Sequence, residues 1–332
     1  MAERPMAKVM VAPDLVAGTT EESFPIGYRL GRYIIIKRLG EGGMGLVYSA
    51  YDPELQRRVA LKVLHSAERN DRRARRLLVN EARAMARLNH PNIMTVYEVQ
   101  TVNDITFMAM EYVDGQTLSQ WCKKDGKQDW REVVATFLQA GRGLLAAHAA
   151  GVTHHDFKPS NVLVRHDNHV LVSDFGLARW RHRIDTSDHR LANWTLDNEC
   201  NTPEYTQSRQ VLGTVQYLAP ERFAGHHGDE RSDQFSFCVA FYEGLYGCRP
   251  FSGTNPCDIL DAIRTSKFTV PQCPAAVPRW IRRIVLRGLH HDPRQRFPSM
   301  RQLLASLMPH TFTRLWMRGT EMLPFRPQSS VK

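Results

Sequence analysis

The stretch His154-His155-Asp156-Phe157-Lys158-Pro159-Ser160-Asn161, with Val172-Ser173-Asp174-Phe175-Gly176 after it, decides how this chain is read. It sets an acid, a lysine, an amide and a second acid in fixed order, a combination that chance rarely supplies. Downstream, Gly213-Thr214-Val215-Gln216-Tyr217-Leu218-Ala219-Pro220-Glu221 contributes an A-P-E element. Arg296, within Asp292-Pro293-Arg294-Gln295-Arg296, offers its glutamate a later cation.

Upstream, Gly40-Glu41-Gly42-Gly43-Met44-Gly45-Leu46-Val47 matches G-x-G-x-x-G-x-V, where missing side chains let backbone amides approach phosphate oxygens. A plain hairpin would use the same glycines. A dinucleotide-binding turn is the other rival, but it opens a helix, whereas strand-forming residues follow here. Val59-Ala60-Leu61-Lys62 matches V-A-x-K and carries an ammonium on a strand, where it could neutralise phosphates. The plain alternative is a surface lysine. Glu81 changes that balance. It shares helical spacing with Leu78, Met85 and Leu88, and a carboxylate buried without compensation is costly. An ion pair between Lys62 and Glu81 would resolve the cost.

Around these motifs, Tyr33-Ile34-Ile35-Ile36 and Leu46-Val47-Tyr48 read as strands on either side of the glycines, with further strands over 58–63, 93–99 and 106–112. One arginine-rich helix, over 71–88, interrupts them. Asp114-Gly115 marks a break, after which helices over 130–149, 233–246 and 280–289 dominate, with short strands at 162–164 and 170–172.

The chain has 332 residues and 42% hydrophobic content, enough for a substantial core in two domains or two lobes. No run reaches the roughly 18 apolar residues of a membrane span, and Met1 to Lys8 lacks a secretory signal, so a cytoplasmic location is expected. The six cysteines show neither zinc-like pairing nor disulfide density, so reduced thiols are expected. Lys and Arg exceed Asp and Glu by 44 to 34, which attracts acidic partners without selecting one. The arginines at 72, 73, 75, 76, 83 and 87 lack interleaved aromatics and read as a solvated helix face, not a nucleic-acid surface. The histidine pairs at 226–227 and 290–291 lack a set of metal ligands, and no zinc is expected.

Taken together, these motifs resemble the eukaryotic-type (Hanks-type) protein kinases, with most similarity to bacterial serine/threonine protein kinases, from about Tyr28 to Leu307. The resemblance implies an α+β, two-lobed protein-kinase-like fold: a small antiparallel β-rich N-lobe with one key helix and a larger, mainly α-helical C-lobe. It divides the chain into a flexible extension (1–27), a kinase domain (28–308; N-lobe 28–113, C-lobe 114–308) and a tail (309–332). An activation segment spans 174–221 and contains an insertion at 179–210.

By the same resemblance, the chain transfers the γ-phosphoryl group of ATP to Ser/Thr hydroxyls of proteins and autophosphorylates, in a homodimer for that step. Gly40, Gly42 and Gly45 would cover the phosphates. Lys62 would contact them while paired with Glu81. Asp156 would orient and deprotonate the hydroxyl beside Lys158, and Asn161 and Asp174 would hold Mg2+, with Mn2+ as substitute. Met110 would guard the adenine pocket, the backbone of Glu111 and Val113 would bond the base, and Val47, Ala60 and Leu163 would sandwich it; Leu39 completes the ATP-binding set. Lys158 and Thr214 favour the serine/threonine class, and Glu221 favours protein over small-molecule acceptors.

The pattern departs in three places. His155 stands where an arginine usually precedes the catalytic aspartate, which puts phosphate-driven activation in question. The insertion carries candidate autophosphorylation sites at Thr186, Ser187, Thr202 and Thr206. Cys238 replaces a common glycine, tolerable where its neighbours leave room for a thiol. His155 and the long segment support the alternative, a catalytically silent pseudokinase acting as a nucleotide-binding or scaffold protein.

Overall fold

The computed structural model describes residues 23–42, 45–65, 71–123, 129–175, 215–226, 228–269 and 277–308. The chain divides into two compact units, one running to Ala82 and including Val96–Tyr112, the other comprising Arg83–Thr95 and everything from Val113 onward.

The first unit is a six-stranded sheet of β1 (Arg29–Leu30), β2 (Tyr33–Gly42), β3 (Gly45–Asp52), β4 (Arg57–Leu64), β5 (Val96–Val102) and β6 (Ile105–Glu111), in the order β1-β2-β3-β4-β6-β5 with every pairing antiparallel. Strand alternation sends successive side chains to opposite faces. On one face Leu46, Tyr48, Val59, Leu61, Phe107 and Ala109 join Tyr33 and Ile35 in the buried core. The core begins ahead of Tyr28: Phe24 stacks on Tyr28 at 4.6 Å and donates its backbone N–H to Tyr48 Oη at 3.0 Å. The glycine turn joins two strands rather than a strand and a helix, which removes the dinucleotide-turn rival. Gly45 is required by close approach, because a Cβ there would lie 1.9 Å from the Val63 carbonyl oxygen.

Helix α1 (Arg72–Ala86) turns Leu78, Glu81 and Met85 inward and leaves Arg72, Arg76 and Arg83 exposed. The expected strand at 93–99 starts late, at Val96. Residues 92–94 pair elsewhere: Ile93 bridges Val172, and the Met94 amide donates to the Val172 carbonyl at 2.9 Å. Long-range pairing overrode local β propensity there.

In the second unit, β7 (Gly115–Thr117), β8 (Val162–Arg165) and β9 (Val170–Val172) form a three-stranded antiparallel sheet. The helices are α2 (Leu118–Cys122), α3 (Trp130–Ala149), α4 (Pro220–Phe223), α5 (Glu230–Tyr246), α6 (Pro256–Arg264), α7 (Arg279–Gly288) and α8 (Met300–Leu307). Helix α5 starts ahead of the expected Asp233 because Asp229 and Ser232 form a capping box, and it ends at Gly247 in the left-handed region. It is buried on nearly every side, and Phe237 and Phe241 pack with Phe137 of α3. The Cys238 thiol finds its room at Gly288, where a Cβ would lie 2.2 Å from Sγ.

Cys122, Cys238 and Cys248 are free thiols, but Cys257 is disulfide-bonded, which corrects the expectation of reduced thiols throughout. Sequence spacing does not reveal which Cβ atoms folding brings within bonding range. Among the described residues no helix is long and apolar enough to cross a membrane. The insertion, with Thr186, Ser187, Thr202 and Thr206, and also Thr214, lies outside the described residues.

Candidate active site

The first unit supplies the lysine and the glycine loop. Lys62 on β4 is paired with Val47 on β3 and Met108 on β6, and Ala60 with Met110, so these five residues lie on the sheet face opposite the buried core. From α1, Glu81 receives the Lys62 ammonium on both carboxylate oxygens, at 3.0 and 3.1 Å. Lys62 is 8% exposed and Glu81 2%, so the pair expected from the carboxylate's place among apolar residues is formed in a buried setting. Leu39 is 43% exposed beside Gly40, and Glu111 ends β6 partly exposed.

The second unit carries the candidate catalytic acids, Asp156 and Asp174. The loop 154–158 leads into a short 3-10 turn, Pro159–Asn161, and then β8. Lys158 Nζ donates to Asp156 Oδ2 at 2.9 Å, and Asn161 Nδ2 donates to the Asp156 carbonyl at 2.9 Å and to its carboxylate at 3.3 Å. Asn161 thus spends its NH2 on the loop, a geometry that turns the amide oxygen the other way. Ser173 links the two candidate metal ligands: its amide and hydroxyl both donate to the Asn161 carbonyl, at 2.9 and 3.0 Å, and its hydroxyl contacts Asp174 Oδ2 at 3.3 Å. Asp174 holds a left-handed φ of 59°, strained for a non-glycine residue. Phe175 beside it is fully buried, its ring 4.6 Å from that of His154. Val113 and Leu163 belong to this unit; Leu163 sits mid-sheet on β8, paired with Thr117 and Leu171.

His154 and Asp233 anchor the loop from beneath. His154 Nε2 donates to the Ser173 carbonyl at 2.9 Å, and its Nδ1 accepts the Asp156 amide at 3.3 Å, which fixes a neutral Nε2–H tautomer. Burial pushes its pKa down, in keeping with that state. Asp233, fully buried on α5, accepts the amides of His154 and His155 at 2.7 and 2.8 Å and the ring of His148 at 2.8 Å. Burial alone would raise its pKa; the His148 hydrogen bond works the other way, and the carboxyl lies below its ordinary range. Sequence reasoning did not single out Asp233 or His148. A carboxylate in the first turn of α5, two residues ahead of the apolar run that opens at Phe235, was the available signal, because such a group requires partners once the helix is buried.

Below the loop, Arg296 forks onto Glu221 of the A-P-E element at 2.9 and 2.8 Å, as the order of the two motifs implied. Asn161 and Asp174 offer hard oxygen donors, the type magnesium prefers. Among the described residues no group of three or more His, Cys, Asp or Glu side chains forms a metal cage by itself. Two protein donors with the remainder from phosphate and water is how magnesium is commonly held with nucleotides.

Residues 33–308 match the protein kinase domain family, and the chain belongs to that family. Among curated proteins it is 34% identical to the serine/threonine-protein kinase PknA of Mycobacterium tuberculosis over 274 residues, covering 81% of this chain and 59% of that protein. It is 31% identical to the serine/threonine-protein kinase PrkC of Bacillus subtilis over 284 residues, covering 85% of this chain and 41% of that protein. The chain therefore spans roughly two-fifths to three-fifths of those relatives' lengths. Among solved structures, the Mycobacterium tuberculosis PknI kinase domain matches with a TM-score of 0.61 at 25% identity, covering 86% of this chain and 98% of that one. The fold is that of a protein kinase, β-rich in its first unit and helical in its second.

Proposed function

We propose that this chain is a serine/threonine protein kinase that transfers the γ-phosphoryl of ATP to protein hydroxyls. The observation that carries this reading is Asp156: a carboxylate held by Lys158 and Asn161, on a loop whose backbone is bonded to buried Asp233. Phosphoryl transfer asks a protein mainly for positioning and charge neutralisation. Asp156 accepts the hydroxyl proton and aims the oxygen. Lys158, at its side, keeps a cation where negative charge develops. Lys62, oriented by Glu81, meets the phosphates, and Gly40, Gly42 and Gly45 let backbone amides approach them. Val47, Ala60, Met110, Val113 and Leu163 take the adenine, with Leu39 at the rim and the Glu111 backbone on its edge. Asn161 and Asp174 hold magnesium, or manganese in its place, which neutralises phosphate charge when bound.

The acceptors are Ser and Thr of proteins, including this chain's own activation segment within a homodimer, and the reaction draws on cytoplasmic ATP. No role for nucleic acid is proposed. Against the pseudokinase reading stand Lys62, Asp156, Asn161 and Asp174, all of the residue types that the chemistry requires.

The test is incubation of the purified chain with labelled ATP, magnesium and a generic basic protein, alongside Asp156→Asn, followed by phosphosite mapping. Magnesium-dependent labelling of Ser or Thr is expected, reduced in the variant by about 10²–10⁴-fold while ATP still binds. Equal turnover in the variant would remove the mechanism, and no labelling by a folded wild-type chain that binds ATP would favour the pseudokinase.

A further inference from the structure

We propose that Arg222 is a positioning residue for the transfer reaction, its guanidinium holding His155 and thereby the backbone that presents Asp156. This rests on the kinase reading above, and takes up the residue that departs from the usual pattern immediately before the candidate base.

His155 has a φ of 65°, in the left-handed region that non-glycine residues keep only where their surroundings enforce it. Two restraints converge on it. Its amide donates to Asp233 Oδ1 at 2.8 Å, and its ring Nδ1 lies 2.6 Å from Arg222 Nη1. A guanidinium has only donors, so the histidine nitrogen must accept, and the imidazole is neutral with its proton on Nε2. Histidine is thus the acceptor matched to an arginine that reaches the loop from another element. An arginine at 155 would set two donors against each other.

Arg222 is built into this position. It is 4% exposed on α4, immediately after Glu221 of the A-P-E element. Space for its stem comes from Gly228, at φ 66°, where a Cβ would lie 2.5 Å from Arg222 Cδ and 3.1 Å from Nη1. Burial lowers the pKa of the guanidinium, while Asp233, Glu221 and Asp156 act the other way, so Arg222 lies within electrostatic reach of the candidate base. Three segments, 154–156, 220–223 and 228–233, therefore meet around one guanidinium. The chain carries its own permanent cation against the catalytic loop.

The experiment compares steady-state transfer by wild type, Arg222→Met and Arg222→Lys with the basic protein substrate, and records the imidazole 15N spectrum of the wild type, assigned through His155→Gln. Arg222→Met is expected to lower kcat by about 10²-fold through misplacement of Asp156, with KM for ATP altered less than about threefold. Arg222→Lys, which keeps a cationic donor, is expected to recover part of that loss. His155 is expected as the Nε2–H tautomer with an unprotonated Nδ1. Wild-type kcat in Arg222→Met, or a loss shared equally by kcat and ATP binding, would overturn the proposal. If Arg222→Met does not fold, the tautomer and Arg222→Lys decide: a proton on Nδ1, or an Arg222→Lys enzyme with wild-type kcat despite an Nδ1–H imidazole, rejects the contact. A wild-type chain that transfers nothing would instead count against the kinase reading, while the tautomer would still report whether Arg222 holds His155.

Discussion

Two buried ion pairs, one in each unit, use the same charges in different ways. Arg296 and Glu221 form a closed set: besides the two bonds of the fork, the guanidinium donates to the carbonyls of His290, Arg231 and His291 at 2.8, 2.8 and 3.2 Å, and Ser232 Oγ donates to Glu221 at 2.6 Å. All five guanidinium N–H groups are thereby engaged. Lys62 and Glu81 instead join a strand to a helix through a compact ammonium. A planar fork with every donor satisfied holds one geometry, whereas a point charge on a flexible stem can turn toward a ligand. The first arrangement suits architecture and the second suits chemistry.

The strongest attempt to break this contrast is Arg296→Met. It leaves Glu221 buried without its cation and is expected to cost about 3–5 kcal/mol in urea unfolding. Retention of full stability with loss of activity would reverse the roles of the two pairs. Conservative exchanges sharpen the point. Lys62→Arg keeps the charge but is expected to lower transfer by about 10²-fold with little change in melting temperature, because the ammonium's position is lost. Arg296→Lys keeps the charge but strands several carbonyls, and is expected to cost about 1–3 kcal/mol of stability. Equal stability losses in both would erase the distinction.

A third comparison concerns the packing of α7 against α5. Gly288→Ala forces a methyl onto the Cys238 thiol and is expected to destabilise by about 1–3 kcal/mol, with Cys238→Gly in the same chain restoring much of the loss. Additive losses would show that the thiol is not what fills the space. The smallest effect is in acid. Burial favours the protonated form of Glu221, but the Arg296 hydrogen bonds outweigh it and hold the pKa below its ordinary 4.5; Asp233 lies below its ordinary 3.8. Depressed values mean that this stability is present in full above the ordinary carboxylate range and is lost as pH falls through the folded-state values. Unfolding followed from pH 6 downward should therefore steepen below about 4.5, and Asp233→Asn should flatten that limb.

Much of the candidate site was legible in the sequence because the phosphate chemistry proposed for it demands particular residues at short spacing. The glycines before Val47, the lysine in Val59-Ala60-Leu61-Lys62, and Asp156, Lys158 and Asn161 are each close enough along the chain for local geometry to fix their order. Even the Lys62–Glu81 pair could be read, since a carboxylate among Leu78 and Met85 needs a cation. The strands and long helices followed from periodicity. The exceptions, at Ile93 and at the start of α5, arose where a distant strand or a capping side chain outweighed local propensity.

The support of the site was not legible in the same way. Asp233 lies some eighty residues from the amides that it accepts, and Arg222 nearly seventy from His155. Gly288 explains Cys238 only after two helices are packed together. By itself, the sequence determined the main strands and helices, the order of the candidate catalytic groups and the need for a partner at Glu81, because each follows from residue chemistry at close range; the kinase fold was what the resemblance of its motifs to a known family implied. Tertiary structure alone decided which buried charges face which, that His155 is a neutral acceptor rather than a missing arginine, and that Arg222 is the cation beside it. Those outcomes depend on which distant groups folding brings within hydrogen-bond distance, and separation along the chain carries no record of that.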